Sequence, residues 1–340
     1  MGGNLSRRGF GAGLVGAGVI RRARAAEPLR LRCSLDTAPA HGRNVAIADF
    51  LQKVEAASDG TIKTELFSSG ALFPDLDVAK ALVQGQVEMA APGSWTITGF
   101  IPDAELFQLP ALYGQPLEIT HKVIDGAAGQ MIAEEIRGKL RSQVLGPWLD
   151  LGFQNWYSTS KPLNSLADLR GMKIRNSGGA GQAWRARYVG AIPNTTAWPN
   201  VPLALSQGTF DGLVSTDESV ASAKLWDAGV KFSLADHQYV GEYIPILSLT
   251  FWDKLTPAQQ MMMTDIWAKH VAAYRANMAA AQTRARAAME AHGIKVVDPT
   301  TAQTTEERKK MLPETDTLAK DVKMSPAMVK LVMADIGLAA

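Results

Sequence analysis

Leu29-Arg30-Leu31-Arg32-Cys33-Ser34-Leu35 alternates apolar and polar side chains, the period of a half-buried strand. Working outward, Ile47, Phe50, Leu51 and Val54 recur at helical spacing until Ser58-Asp59-Gly60 stops the helix. Ile62, Thr64 and Leu66 return to period two. Asp75 to Gln84 reads as a second helix closed by Gly85, and Val87 to Ala91 as a short apolar strand feeding Pro92-Gly93-Ser94-Trp95. The order βαβαβ predicts an α/β layer.

A second set follows the first. Leu145 to Tyr157 reads as a strand, 165–169 as a turn with a short helix, and Met172 to Arg175 as a strand running into a Gly-rich loop. Helix Gln182 to Val189, strand Ile192 to Thr196, helix Pro202 to Gln207 and strand Phe210 to Ser215 complete it. Ala81-Leu82-x-Gln84-Gly85-x-x-Glu88 is echoed by Ala204-Leu205-x-Gln207-Gly208-x-x-Asp211, and chance similarity of two helix ends would produce the same echo. It places Gly93-Ser94-Trp95 and Ser215-Thr216 at equivalent strand ends, where open α/β sheets hold ligands. Thr256 as N-cap and Pro257 open a helical pattern that runs to His292 and Gly293. At 1.5 Å per residue it is about 50 Å long, a strut across two lobes. A strand at Ile294 to Val297 and one or two short helices should follow.

The chain has 340 residues, 46% hydrophobic and 20% charged, the usage of a globular protein. Ser6-Arg7-Arg8-Gly9-Phe10, an apolar Gly-rich run to Ile20, and Ala23-Arg24-Ala25 read as a twin-arginine export signal cleaved after Ala25. Gly11-x-Gly13-x-x-Gly16 inside it matches a dinucleotide fingerprint, but no strand precedes it. Beyond residue 26 no stretch approaches the roughly 20 apolar residues of a membrane span. Removing residues 1–25 takes five arginines and no acid, so 35 basic against 33 acidic residues becomes 30 against 33. That balance, without a long basic run, gives no electrostatic case for nucleic acid or an anionic membrane surface. Cys33 is the single cysteine and alternates with the leucines, as a buried structural thiol would.

The five histidines, at 41, 121, 237, 270 and 292, have neither zinc-site spacing nor a nucleophile elbow beside them. Asp217-Glu218 is a carboxylate pair whose adjacent side chains point apart, which argues against acid/base work. Met172-Lys173-Ile174-Arg175-Asn176-Ser177-Gly178-Gly179-Ala180-Gly181 stands out, because an arginine at a strand end beside a Gly-rich turn and a helix N-terminus suits a carboxylate. An arginine beside an ordinary surface loop would give the same pattern. Trp95, Trp156 and Trp198 are candidate pocket walls, and Trp184 is a core candidate.

Leu163-Asn164-Ser165-Leu166-Ala167-Asp168-Leu169-Arg170-Gly171-Met172-Lys173-Ile174-Arg175, with Ala204-Leu205-Ser206-Gln207-Gly208-Thr209-Phe210-Asp211-Gly212 and Phe251-Trp252-Asp253-Lys254-Leu255, resembles the DctP-type solute-binding subunits of tripartite ATP-independent periplasmic (TRAP) transporters. The resemblance covers nearly the whole mature chain. It implies an α/β two-domain periplasmic-binding-protein fold, type II-like, with a long domain-spanning C-terminal helix. Residues 27–150 plus about 240–256 would form one domain and 151–239 the other, followed by the helix at 257–292 and a helical segment at 293–340. It also implies that Arg175 pairs with a substrate carboxylate, that Trp198 is the aromatic pocket residue, and that Asp36, Phe73, Ser94 and Trp95 contribute from the first domain. The commonest sialic-acid-type pattern has a second arginine where this chain has Asn155, and an asparagine where it has Ser215. Those two would hydrogen-bond hydroxyl or keto oxygens, and Glu218 would accept from a hydroxyl or help hold a cation. The expectation is a periplasmic receptor for a hydroxy- or keto-monocarboxylate that needs no cofactor, closes on its ligand and delivers it to integral membrane subunits. An exported enzyme, a sensor or a receptor for an ATP-driven importer on the same scaffold is the alternative.

Overall fold

The computed structural model describes residues 1–3 and 27–337, so the export signal read at 1–25 falls almost wholly outside the described residues. The expected βαβαβ unit is built from β1 (Leu29–Ser34), α1 (Gly42–Ala57), β2 (Ile62–Phe67), α2 (Asp75–Val83) and β3 (Met89–Ala90). The chain continues through α3 (Leu117–Ile124), α4 (Ala127–Lys139), β4 (Ser142–Val144), β5 (Leu149–Phe153), β6 (Asn155–Ser158) and β7 (Lys173–Asn176). Next come α5 (Ala180–Tyr188), β8 (Ile192–Thr195), α6 (Val201–Ser206), β9 (Gly212–Ser215), α7 (Asp217–Ser222), β10 (Phe232–Leu234), β11 (Val240–Tyr243) and β12 (Ile246–Ser248). Helices α8 (Leu249–Trp252) and α9 (Pro257–Ala291), strand β13 (Lys295–Val297), and helices α10 (Thr301–Met311), α11 (Thr315–Asp321) and α12 (Pro326–Asp335) complete it.

Two sheets result. The first has the order β2-β1-β3-β12-β4, with β1, β2 and β3 parallel, and the second the order β13-β10-β6-β9-β7-β8. Alternation along each strand feeds opposite faces. Met89 and Leu247 join Leu31, Cys33, Phe50 and Trp267 on one side of the first sheet, while Ala90 and Ile246 join α2, α4 and α12 on the other. Tyr157 and Leu213 face α6 in the second lobe, and Trp156 and Val214 face the opposite side.

The strand expected from Leu145 to Tyr157 is two strands, β5 and β6, in different sheets, and it follows β4, which ends at Val144. Gly146-Pro147 ends the first-sheet portion, and Gly152, at φ 118°, bends the backbone into a region that L side chains rarely adopt. Between them β5 leaves the first lobe and pairs antiparallel with β11, which carries the chain back. These two strands form a crossing ribbon between the lobes.

The strut is unbroken over 35 residues. Thr256 and Gln259 close a capping box at its start, and Gly293 takes φ 84° after its end. It packs Met263 and Trp267 into the first lobe and Met289 into the second. β13 then joins the second sheet beside β10. The C-terminal segment has three α-helices rather than one or two, and Leu318, Met328 and Val332 carry them back onto the first lobe's core.

Candidate functional site

Arg175 sits in β7, flanked by β8 and β9, and is 1% exposed. Its Nε donates to the Thr196 carbonyl at 2.9 Å and its Nη1 to Ser177 Oγ at 2.8 Å. The guanidinium carbon lies 5.4 Å from the Trp198 ring centre. Among the described residues its bonds are to neutral oxygens alone, and burial pulls its pKa down to about 10, with Asp36 opposing that shift. A desolvated cation held by neutral partners favours an anion at its free edge.

Arg43 of α1 lies buried behind the same cleft with the opposite surroundings. Its Nη2 lies 2.5 Å from Asp36 Oδ1 and its Nη1 2.6 Å from Asp75 Oδ2. It also donates to Thr37 Oγ1 and the Ala91 carbonyl, and stacks 4.0 Å from the Tyr243 ring centre. Two carboxyls meet it, and burial, with Asp36 adding to it, pushes Asp75 up to about 7 against the pull of Arg43. This network was not anticipated from sequence, because Asp36, Arg43 and Asp75 have no diagnostic spacing and meet only through the sheet.

Between these walls lies a cavity of about 30 Å³ lined by Asp36, Trp95, Gln154, Arg175, Trp198 and Ser215, with Asp75, Ser177, Ser219 and Tyr243 around them. Shallower surface depressions reach about 400 and 650 Å³, but neither is lined by a buried arginine. Five of the expected residues thus come together: Arg175, Trp198, Ser215, Trp95 and Asp36.

Four do not line the cavity. Asn155 stands opposite Ser215 in the β6–β9 register, but its Oδ1 accepts the His237 N–H at 3.2 Å. Its neighbour Gln154 faces the cavity instead, with a buried Nε2 that has no partner among the described residues. Phe73 packs on the first lobe's core, with its backbone N–H and carbonyl both bonded to Ser34 Oγ. Ser94 is buried at the start of a 3₁₀ turn. Glu218 takes the Gly42 N–H at 3.1 Å and lies 2.7 Å from His41 Nε2, across the cleft mouth. Trp156, a sequence candidate for a wall, is core: it is 1% exposed and donates Nε1–H to Asp236. Trp184 is core as expected, in the cluster of the first lobe.

Other contacts hold the lobes together. Gly179 (φ 79°) begins α5, and a Cβ on Gly181 would meet Gln108 Cγ at 2.5 Å, so a larger residue would hold α5 away from the first lobe. The Gly181 N–H donates to Glu105 Oε1 at 3.2 Å, and Arg185 Nη2 donates to the Gln108 carbonyl at 2.9 Å.

His41, Ser219 and Glu218 invite comparison with a nucleophile triad, since His41 Nε2 is 3.1 Å from Ser219 Oγ. The arrangement is wrong for that chemistry. A triad needs the acid on Nδ1 while Nε2 serves the hydroxyl, whereas here Nδ1 accepts the Arg43 N–H and Glu218 lies beside the same Nε2 as Ser219.

Fold and cleft together have the form of a two-lobed binding protein with a buried guanidinium at its central cavity. The chain belongs to the DctP family of TRAP solute-binding subunits: the family model for "bacterial extracellular solute-binding protein, family 7" matches residues 36–321. The C4-dicarboxylate-binding periplasmic protein DctP of Rhodobacter capsulatus is 30% identical over 259 residues, covering 74% of this chain and 75% of that one. A solute-binding protein of Verminephrobacter eiseniae is 26% identical over 81% of each chain. Among solved structures, the sugar-acid-binding DctPAm of Advenella mimigardefordensis, in complex with galactonate, superposes with TM-score 0.85 at 22% identity, over 92% of this chain and 99% of that one. A succinate-bound TRAP solute-binding protein of Sulfurospirillum deleyianum gives 0.81 at 23%, over 90% and 98%. The two-domain periplasmic-binding-protein fold is thereby shown. No helix among the described residues is long and apolar enough to cross a membrane.

Proposed function

We propose that this protein is a periplasmic receptor that captures a hydroxylated monocarboxylate by closing its lobes and delivers it to the integral membrane subunits of a TRAP transporter. Arg175 carries the reading: a buried guanidinium without a carboxylate partner takes the acid group in a charge-assisted pair. Opposite it, Asp36 accepts a ligand hydroxyl, while Gln154 and Ser215 serve hydroxyl or keto oxygens. Trp95 and Trp198 wall the carbon chain. A second ligand carboxylate would face Asp36 and Asp75 at close range, which disfavours a dicarboxylate such as succinate. Galactonate, the ligand of one structural neighbour, has the favoured chemistry of one acid with several hydroxyls. Export by the twin-arginine route is proposed from residues 1–25. Binding without turnover is part of this reading, supported by membership of a solute-binding family.

A thermal-shift screen of hydroxy, keto and dicarboxylic acids tests this, because a ligand that prefers the folded state raises the melting temperature. The best monocarboxylate should lose at least about tenfold in affinity with Arg175→Ala, one charge-assisted hydrogen bond being worth roughly 1.5–3 kcal/mol. Unchanged affinity in that variant, or a dicarboxylate as the best ligand, overturns the assignment.

A further inference from the structure

Away from the acid pocket, the crossing ribbon carries an unusual pair. Asp150 of β5 and Glu242 of β11 are direct register partners, next to a bulge between Gly241 and Glu242. Like charges placed opposite each other across two strands destabilise the pairing. Glu242 is 0% exposed, and neither of its carboxylate oxygens has a hydrogen-bond partner among the described residues. Burial, with Asp150 adding to it, holds its pKa well above the ordinary carboxylate range.

His121 reaches this pair from α3. Its Nε2 lies 2.8 Å from Asp150 Oδ1, and one ligand-type atom from each of His121, Asp150 and Glu242 falls within 4.8 Å of the others. Arg275 of α9 is the nearby cation, with Nε 3.5 Å from Asp150 Oδ1. It is largely committed elsewhere: two nitrogens grip Asp125 at 2.7 and 2.9 Å, and Nε donates to the Trp148 carbonyl at 2.8 Å. The cluster therefore has two acids and an imidazole, with Arg275 the nearby cation but without a hydrogen bond from it to Glu242.

We propose that His121, Asp150 and Glu242 form a binding site for a divalent transition metal of the Zn²⁺ class, bracing α3 against the crossing ribbon between the lobes. One imidazole nitrogen and two carboxylate oxygens make a mixed N/O set suited to zinc, with a fourth position for water. Calcium and magnesium prefer more oxygen ligands and no imidazole. The His121 side chain is 26% exposed, which gives the ion a path from solvent. The site does not depend on the acid pocket and stands or falls separately from it.

Metal-stripped full-length mature protein titrated with ZnCl₂ alone should bind one equivalent by calorimetry and gain melting temperature. CoCl₂ should give a visible absorption band in the wild type that is lost in the variants. His121→Ala and Glu242→Gln should each weaken zinc at least about tenfold. If Glu242→Gln does not fold, His121→Ala, at a partly exposed position, carries the comparison. Absence of a stoichiometric binding event overturns the proposal, as does zinc affinity that both variants leave unchanged, the mark of adventitious surface binding. A melting temperature that depends on pH through Glu242 but ignores zinc overturns it too, and assigns the pair a shared proton instead.

Discussion

Arg175 and Arg43 show how one residue type acquires two roles from its neighbours. Arg43 is saturated by Asp36, Asp75 and Thr37, so it shapes the wall and holds Asp36 in place. Arg175 has neutral partners and is available to a ligand. Arg175 was legible because its strand end, glycines and helix start are contiguous in sequence. Asn155 does not line the cavity, for a local reason: the crossing from β5 to β6 turns Gln154 into the cavity and gives Asn155 to His237. Cys33 was readable from alternation alone. It is 0% exposed, and burial pushes its thiol far above the ordinary range. A thiol reagent at pH 8 should therefore leave the native protein unmodified and titrate one thiol in denaturant, since the thiolate is the reactive form. Rapid labelling of the native protein would show that the first sheet opens around it.

At the scale of elements, those defined by local signals were read correctly and those defined by distant pairing were not. Thr256, Pro257 and Gly293 delimit α9 without reference to the rest of the chain. Residues 145–157 contain no local sign that β5 will pair with β11 some ninety residues later, so their apolar run looked like one strand. The strut is pinned where the ribbon begins. Trp267 is 0% exposed, meets the Phe50 ring edge-on at 5.4 Å and donates Nε1–H to the Pro147 carbonyl at 2.8 Å. Trp267→Ala should cost about 3–5 kcal/mol, the range for deleting a large aromatic from a core. It would appear as a lower urea midpoint, and a change under 1 kcal/mol would mean that α9 is not fastened there.

For the whole molecule, the lobe interface itself contains titratable groups. Glu105 of the first lobe is 3% exposed and receives the Gly181 N–H of the second. Burial raises its pKa to about 7 from the usual 4.5, against the opposing backbone bonds from Gly181 and Ala180. A group with a raised pKa in the closed, folded form binds its proton more tightly there than when exposed. Its contribution is therefore fully present below about pH 4.5 and is lost as pH rises through about 7. Asp236, which accepts from Tyr113 of the first lobe and Trp156 of the second, is likewise pushed up to about 7 by burial. Both acids are expected to weaken this interface as pH rises through about 7. Small-angle scattering of the wild type should show a larger radius of gyration at pH 8 than at pH 5. Glu105→Gln, whose amide oxygen still accepts the Gly181 N–H, should reduce that difference, and its melting temperature relative to wild type should rise across the same window. If the two proteins keep a constant offset from pH 5 to 8, the interface acid does not control closure.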